Sequence, residues 1–502
     1  MKVSGLGHFP LGCPVPKKSH AVCVSLPTIE DLIGYEEKNP DTVNAISSGY
    51  PRFVSHPSII DLSKHLDRMD GSDQFETFLL SNSSDLQFAS EVCNLTAAKI
   101  ITEEEFTGIR IPYESNQCKK LQKFLQHTGC GMSSRKAERT LESLGLITPT
   151  ESIIPNQNAA NEIRSTIAKA HGNGIDSEDV LLASSGANAF TATFRAALEQ
   201  SRIKGKGIWI RLGWLYLDTT EIMDLLTNNT EQVLELNHPR SFNKLDDIFE
   251  TSGEKIAGIV TEFPSNPLLQ CCELEKVSEL CKRYGALLVV DPTMASPKNA
   301  KISGLADIVI NSLTKYANWE GDTMMGCAVF PKTSSLGLEI KENIQNYLAP
   351  PFQKDMERLA EQIPFYENFI EKTNQAQMEM VDFLSAHPKI EKVYHAYSDS
   401  TGHNYSKIAE EDKPGCVLSF EIKGNFKDFY NALPMLKSPS FGTEFSICCP
   451  YIYLAHYDKL STKEGRQELE NADLRPELCR LSVGLEDPDE IKSAIAEGLN
   501  AT

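Results

Sequence analysis

The stretch at residues 306–330, ADIVINSLTKYANWEGDTMMGCAVF, decides how the rest of the chain is read. Ile308, Val309 and Ile310 read as a buried strand, which Asn311, Ser312 and Thr314 break with polar side chains. Lys315 follows immediately, Gly321 and Asp322 mark a turn, and residues 324–330 are apolar again. A lysine between two apolar strands and beside two hydroxyls suits a Schiff base to pyridoxal 5'-phosphate (PLP). The amine supplies the covalent link, and Ser312 and Thr314 can donate to a phosphate. Lysines are more often simply solvated, so a second stretch carries weight. Residues 287–290 are an apolar strand ending in Asp291, Pro292 and Thr293. A carboxylate at the end of a buried strand can pair with a protonated pyridine nitrogen and keep the ring an electron sink.

Taken together, Asp291-Pro-Thr-Met-Ala-Ser-Pro297 and Ser312-Leu-Thr-Lys315-Tyr316 resemble the cofactor signature of the cystathionine gamma-synthase family, the Cys/Met-metabolism group of PLP enzymes. Within that family the chain is similar to the long fungal form. The resemblance implies that Lys315 carries the cofactor and that Asp291 faces its pyridine nitrogen. It also implies fold-type I: a large, mostly parallel α/β domain and a small C-terminal α/β domain.

With 502 residues, more than one core is expected. Hydrophobic residues at 41% and charged residues at 24% describe a globular protein, and a net charge of −20 argues against a nucleic-acid partner. No apolar run approaches the roughly 20 residues that span a bilayer, so no membrane partner is expected. The N-terminus has glycines and prolines where a signal peptide needs an apolar stretch. Thirteen scattered cysteines without metal-ligand spacing suit a reducing, cytoplasmic setting and no metal site.

Residues 1–60 read as an arm laid on another surface. The family match gives Tyr50 and Arg52 in Gly49-Tyr-Pro-Arg-Phe53 a role: they reach across a subunit interface to the cofactor phosphate, in a homodimer or dimer of dimers. A guanidinium suits that task because its donor fork matches phosphate oxygens. Residues 61–380 read as the large domain, in which 57–75 is a helix and 75–155 an insertion relative to short relatives. Within the insertion residues 78–80, the helix-like 88–101 and residues 119–127 have enough apolar side chains to fold. Its Ser133-Ser-Arg-Lys-Ala-Glu138 run also occurs in the long fungal form, without assigned chemistry.

From about 157 onward strands and helices alternate, which reads as a parallel sheet with helices on both faces. The strand at 180–183 runs into Ser184-Ser185-Gly186-Ala187 and then a helix, the arrangement that aims backbone N–H groups at an anion. An ordinary tight turn would look the same. The family match assigns Ser185, Gly186 and Ala187 to the phosphate. The strand at 207–212 places Leu212 where the family has a ring-stacking tyrosine, leaving Trp214 or Tyr216 to stack instead. A tyrosine there, or Tyr50, could shuttle protons. Glu262-Phe-Pro-Ser-Asn266-Pro matches the family's Glu-x-Pro-x-Asn-Pro, with Asn266 as donor to cofactor and substrate.

A long helix at 341–387 should cross to the C-terminal domain, residues 381–502, with strands at 416–422 and 445–449 and a closing helix at 490–497. In it Arg480 lies in a run of buried-strand character, where an unpaired guanidinium would be expensive. The family match makes the α-carboxylate of an amino-acid substrate its partner. Ser440-Phe-Gly-Thr-Glu-Phe445-Ser-Ile follows the family's serine motif, with Ser440 at the substrate and Phe445 at a position usually glutamate.

The reaction implied is γ-replacement on O-acetyl-L-homoserine through a vinylglycine ketimine, with L-cysteine giving L-cystathionine. Acetoacetate or its ester, as in secondary metabolism, and sulfide are the alternative nucleophiles. Phe445, Trp319 and Leu212 would make the site apolar and tilt it toward carbon. A non-catalytic PLP-binding partner subunit is the alternative of another class.

Overall fold

The computed structural model describes residues 3–49, 54–69, 74–96, 98–103, 105–113, 115–172, 174–398 and 400–502. Its centre is a seven-stranded sheet. From edge to edge the strands are Val180–Ala183, Gly326–Val329, Ile308–Ser312, Leu287–Asp291, Ile256–Glu262, Ile208–Leu212 and Gln232–Leu236. All neighbours are parallel except Gly326–Val329, which runs antiparallel to both of its own. The sheet is therefore mixed. Ile256–Glu262 is buried at every position, which is why it reads as a continuous apolar run and not an alternating one.

The single long helix expected at 341–387 is three pieces: Ser335–Ile344, Gln353–Gln362 and Tyr366–Ala386. Pro350, Pro351 and Pro364 sit in the breaks, where a missing N–H and a fixed φ end a helix. The C-terminal sheet runs Ile390–Tyr394, Val417–Ile422, Cys479–Ser482, Ile447–Pro450, Leu436–Lys437, and Pro488–Asn500 closes it.

Within residues 75–112 a three-stranded antiparallel sheet forms from Phe75–Leu80, Thr107–Pro112 and Lys99–Thr102. The helix read at 88–101 is instead Ser83–Cys93, ended by Asn94 at φ 53°, and the chain returns as the Lys99–Thr102 strand. Asn116–Thr128 and Ser134–Ser143 follow as helices. The N-terminal segment packs on its own chain. Leu436 N donates to Gly5 O at 2.6 Å and Leu26 N to Lys437 O at 2.9 Å, while Leu32 is buried in the C-terminal core. No helix among the described residues is long and apolar enough to cross a membrane.

Candidate active site

One cavity opens at the C-terminal ends of the parallel strands, where open α/β sheets bind ligands. Glu262, Asp291 and Ser312, the last residues of three strands, all line it. Ser185, Gly186, Ala187 and Thr314 line it too. Ser185 caps the Gly186–Ile203 helix, its Oγ accepting from Asn188 N at 3.0 Å, so the first N–H groups of an eighteen-residue helix face the cavity. A side chain at Gly186 would place its Cβ 2.9 Å from Ser312 Cβ. The glycine lets the two hydroxyl-bearing segments close into an anion cradle.

Lys315 is 9% exposed, and its Nζ donates to Ser440 Oγ at 3.0 Å. Ser440 adopts φ 88°, a strained conformation for a residue with a side chain. Its carbonyl accepts from Arg480 Nη2 at 2.9 Å, so one residue touches both the lysine and the arginine. Arg480 Nη1 donates to Asn266 Oδ1 at 3.0 Å, which leaves the amide NH2 of Asn266 as a donor. The guanidinium is buried and lies 5.2 Å from the rings of Phe441 and Tyr451. Among the described residues no carboxylate pairs with it.

Asp291 accepts from Thr293 N at 2.8 Å. Burial pushes its carboxyl up to about 6, outweighing the bonds from Thr293 and the charge of Lys315. Glu262, opposite it in register, is pushed well above the usual carboxylate range by burial and then by Asp291 itself. A buried carboxyl short of cationic partners suits a pyridinium N–H, and the cradle at Gly186 suits a phosphate, so the residues present fit PLP. A consequence is testable without turnover. The folded pKa of Asp291 lies above its ordinary 3.8, so the folded state holds a proton that the unfolded state gives up. The stability this adds is full below 3.8 and is lost as the pH rises to about 6. Cofactor-free protein is expected to lose melting temperature across that window. Asp291→Asn should flatten the decline, and an unchanged decline in the variant would refute this reading of the carboxyl.

Tyr216 lines the cavity, and its N–H is held by Glu262 Oε1. Trp214, assigned to the cofactor by sequence, does not: its Nε1 donates to His456 Nε2 at 3.2 Å in a separate cluster with Tyr451 and Ile452. Leu212 is fully buried in the main core. The chain turns at Gly213, φ 93°, and comes back to the cavity only at Tyr216. Phe445 also misses the cavity and packs among Val15, Cys23, Leu436 and Ile447. Trp319 turns away as well, donating to Gln362 O at 2.9 Å. The three residues from which an apolar site is inferred thus lie off the cavity, which is lined by other apolar side chains, among them Met132, Met324 and Phe441, and by a polar wall.

That wall is supplied by His20, Ser133, Ser134, Arg135, Asp322 and Asp355. Arg135 pairs with Glu151 at 2.8 Å and Asp355 at 3.1 Å. Sequence reasoning noted the Ser133–Glu138 run without a role, and no signal in a single chain joins it to residue 20. Gly49 lines the cavity, whereas Tyr50 and Arg52 lie outside the described residues.

Residues 159–500 match the family profile of the Cys/Met metabolism PLP-dependent enzymes. The chain belongs to that family. Its cofactor is pyridoxal 5'-phosphate, and its relatives carry out γ-substitution and elimination. It is 32% identical over 489 residues to an L-2-amino-4-chloropent-4-enoate dechlorinase/desaturase of Streptantibioticus cattleyicolor, covering 97% of each chain. It is 26% identical over 624 aligned positions to a cystathionine gamma-synthase of Neurospora crassa, covering 98% of each. Cystathionine gamma-synthase of Xanthomonas oryzae pv. oryzae, solved with aminoacrylate and cysteine, superposes with a TM-score of 0.55 at 22% identity, over 68% of this chain and 86% of that one. That likeness establishes the fold, fold-type I.

Proposed function

We propose that the chain binds an L-α-amino acid through Arg480, expels a leaving group from its γ-carbon, and adds a thiol-bearing amino acid there. The observation that carries this reading is the buried Arg480, with neutral acceptors and no carboxylate among the described residues, bridged through Ser440 to the lysine that would do the chemistry. A substrate α-carboxylate supplies the missing partner. PLP, when bound, supplies the electron sink. Asp291 would hold its pyridine nitrogen charged, and the Lys315 amine would take and return protons at the α- and β-carbons. Ser440 positions the amine through its hydroxyl. Tyr216 and Asn266, which line the cavity, would hold the cofactor ring. Tyr50 and Arg52 are assigned to the phosphate, from the partner subunit of a homodimer or dimer of dimers.

The finer assignment takes O-acetyl-L-homoserine as donor and L-cysteine as nucleophile. It is supported by the Neurospora relative and by a wall that carries both signs of charge, Arg135 beside Asp322 and Asp355. Such a wall suits an incoming ammonium and carboxylate better than a β-keto ester. A second reading ends at elimination, without replacement. It is favoured by the 32% identity, over nearly the whole of both chains, to an enzyme whose substrate also bears its chlorine on the γ-carbon.

The deciding experiment supplies O-acetyl-L-homoserine with equal cysteine, sulfide and acetoacetate, and in parallel L-2-amino-4-chloropent-4-enoate alone, both read by mass spectrometry. Cystathionine as the main product supports the first reading. Dechlorination of the second compound with no adduct from the first supports the other. Release of 2-oxobutanoate alone would make the chain a γ-lyase, and no conversion of either donor would leave a non-catalytic PLP-binding subunit.

A further inference from the structure

The N-terminal segment and the 75–155 region meet at the cavity in an arrangement that the family chemistry does not use. His20, 4% exposed, lines the cavity. Its Nδ1 is 2.9 Å from Ser134 Oγ, itself a lining atom group, and its Nε2 is 2.9 Å from Glu138 Oε2. Burial pushes Glu138 up, but bonds from His20 and Thr150 outweigh it and hold the carboxyl at about 2. Glu138 is therefore an acceptor at working pH. The proton of a neutral His20 sits on Nε2, and Nδ1 is left as a base toward the Ser134 hydroxyl.

The other charged neighbours do not displace this order. His56 stacks on His20 at 5.0 Å with ring planes 17° apart. Burial lowers it to about 4, so it stays neutral. Glu151 approaches His20 Nε2 only to 3.9 Å and is engaged by Arg135. His20 is also fixed relative to the cofactor lysine. Val22 N donates to Gly321 O at 2.9 Å, and Lys18 Nζ bonds Asp322 at 2.7 Å, both on the loop that follows Lys315.

We propose that Ser134, His20 and Glu138 form a second acid–base group of this site, serving the thiol that joins the γ-carbon. This rests on the γ-chemistry reading above. Lys315 can serve the α- and β-carbons, but the proton of the γ-substituent lies beyond them. The leaving group X departs as an anion with the Cγ–X electron pair and needs no proton from the protein. Neutral His20 then takes the proton of the incoming thiol on Nδ1 through Ser134 as the S–Cγ bond forms, and releases it to X⁻ or to solvent. The residue ends as it began, and R–X plus H–SR′ becomes R–SR′ plus H–X.

The test compares two rates on PLP-loaded enzyme. One is exchange of the α-proton of L-2-aminobutanoate, which has no leaving group, into deuterium oxide. The other is product formation from O-acetyl-L-homoserine with cysteine. His20→Asn is expected to lower the ratio of product formation to exchange by about 100-fold, and Glu138→Gln to lower it less. In ¹⁵N-histidine spectra the resonance that disappears in His20→Asn should report the Nε2–H tautomer in the wild type. Equal loss of both rates would make His20 part of the wall only, and an unchanged ratio or an Nδ1–H tautomer would overturn the proposal. If the wild type exchanges protons but does not convert O-acetyl-L-homoserine, the γ-chemistry reading fails, and the tautomer still decides the proton chain.

Discussion

Lys315→Ala protein is expected to be colourless after reconstitution with PLP and to lose at least about four orders of magnitude in turnover. Under the proposed function two roles leave with one side chain, the covalent hold on the cofactor and the proton carrier, and the second alone is worth about 10²- to 10⁴-fold. The amine is well placed for both, buried and bonded to Ser440, with the charge-hungry Asp291 in the same cavity. Loss of fold is not expected, because the bond of the amine to the Ser440 hydroxyl is a neutral-acceptor bond worth about 1 kcal/mol. Added methylamine should restore part of the rate by entering the space that the lysine vacates. A variant that remains yellow and active without added amine would end the assignment of Lys315.

Lysine and aspartate were legible because chemistry dictates their residue type and because both sit at strand ends, where a run of apolar residues stops abruptly. The cradle at Ser185 and Gly186 was legible for the same reason: strand, glycine and helix occur in one short span. The ring-stacking position was not. Leu212 ends a strand, and a count along the strand cannot tell where a four-residue turn through Gly213 will bring the chain back; it comes back at Tyr216. Phe445 failed in a similar way. Residues 440–446 have no periodicity, Ser440 adopts a left-handed φ, and the loop delivers Phe445 to the core and not to the site. His20 and Arg135 lay furthest out of reach, since their place depends on packing between segments more than a hundred residues apart.

The second large effect concerns Arg480. Arg480→Ala is expected to lower kcat/KM for the amino-acid donor by about 10³-fold, as two charge-assisted hydrogen bonds to the carboxylate, each about 1.5–3 kcal/mol, are lost. Most of the change should appear in KM, because the carboxylate is held alike before and during the chemistry. The protein itself should tolerate the substitution. A buried guanidinium whose acceptors among the described residues are Asn266 Oδ1 and the Ser440 carbonyl is an expensive group to keep in the free enzyme, and its removal leaves neutral acceptors and no stranded charge. The fold therefore has little use for Arg480, whereas a substrate carboxylate does. Replacing the donor's carboxylate by a primary amide separates these contributions. Wild type should turn the amide over slowly, and Arg480→Ala should do so at nearly the same rate, since the interaction is already gone. If the variant loses as much on the amide as on the acid, Arg480 acts by holding Asn266 and Ser440 in place, and the carboxylate must be bound elsewhere in the cavity.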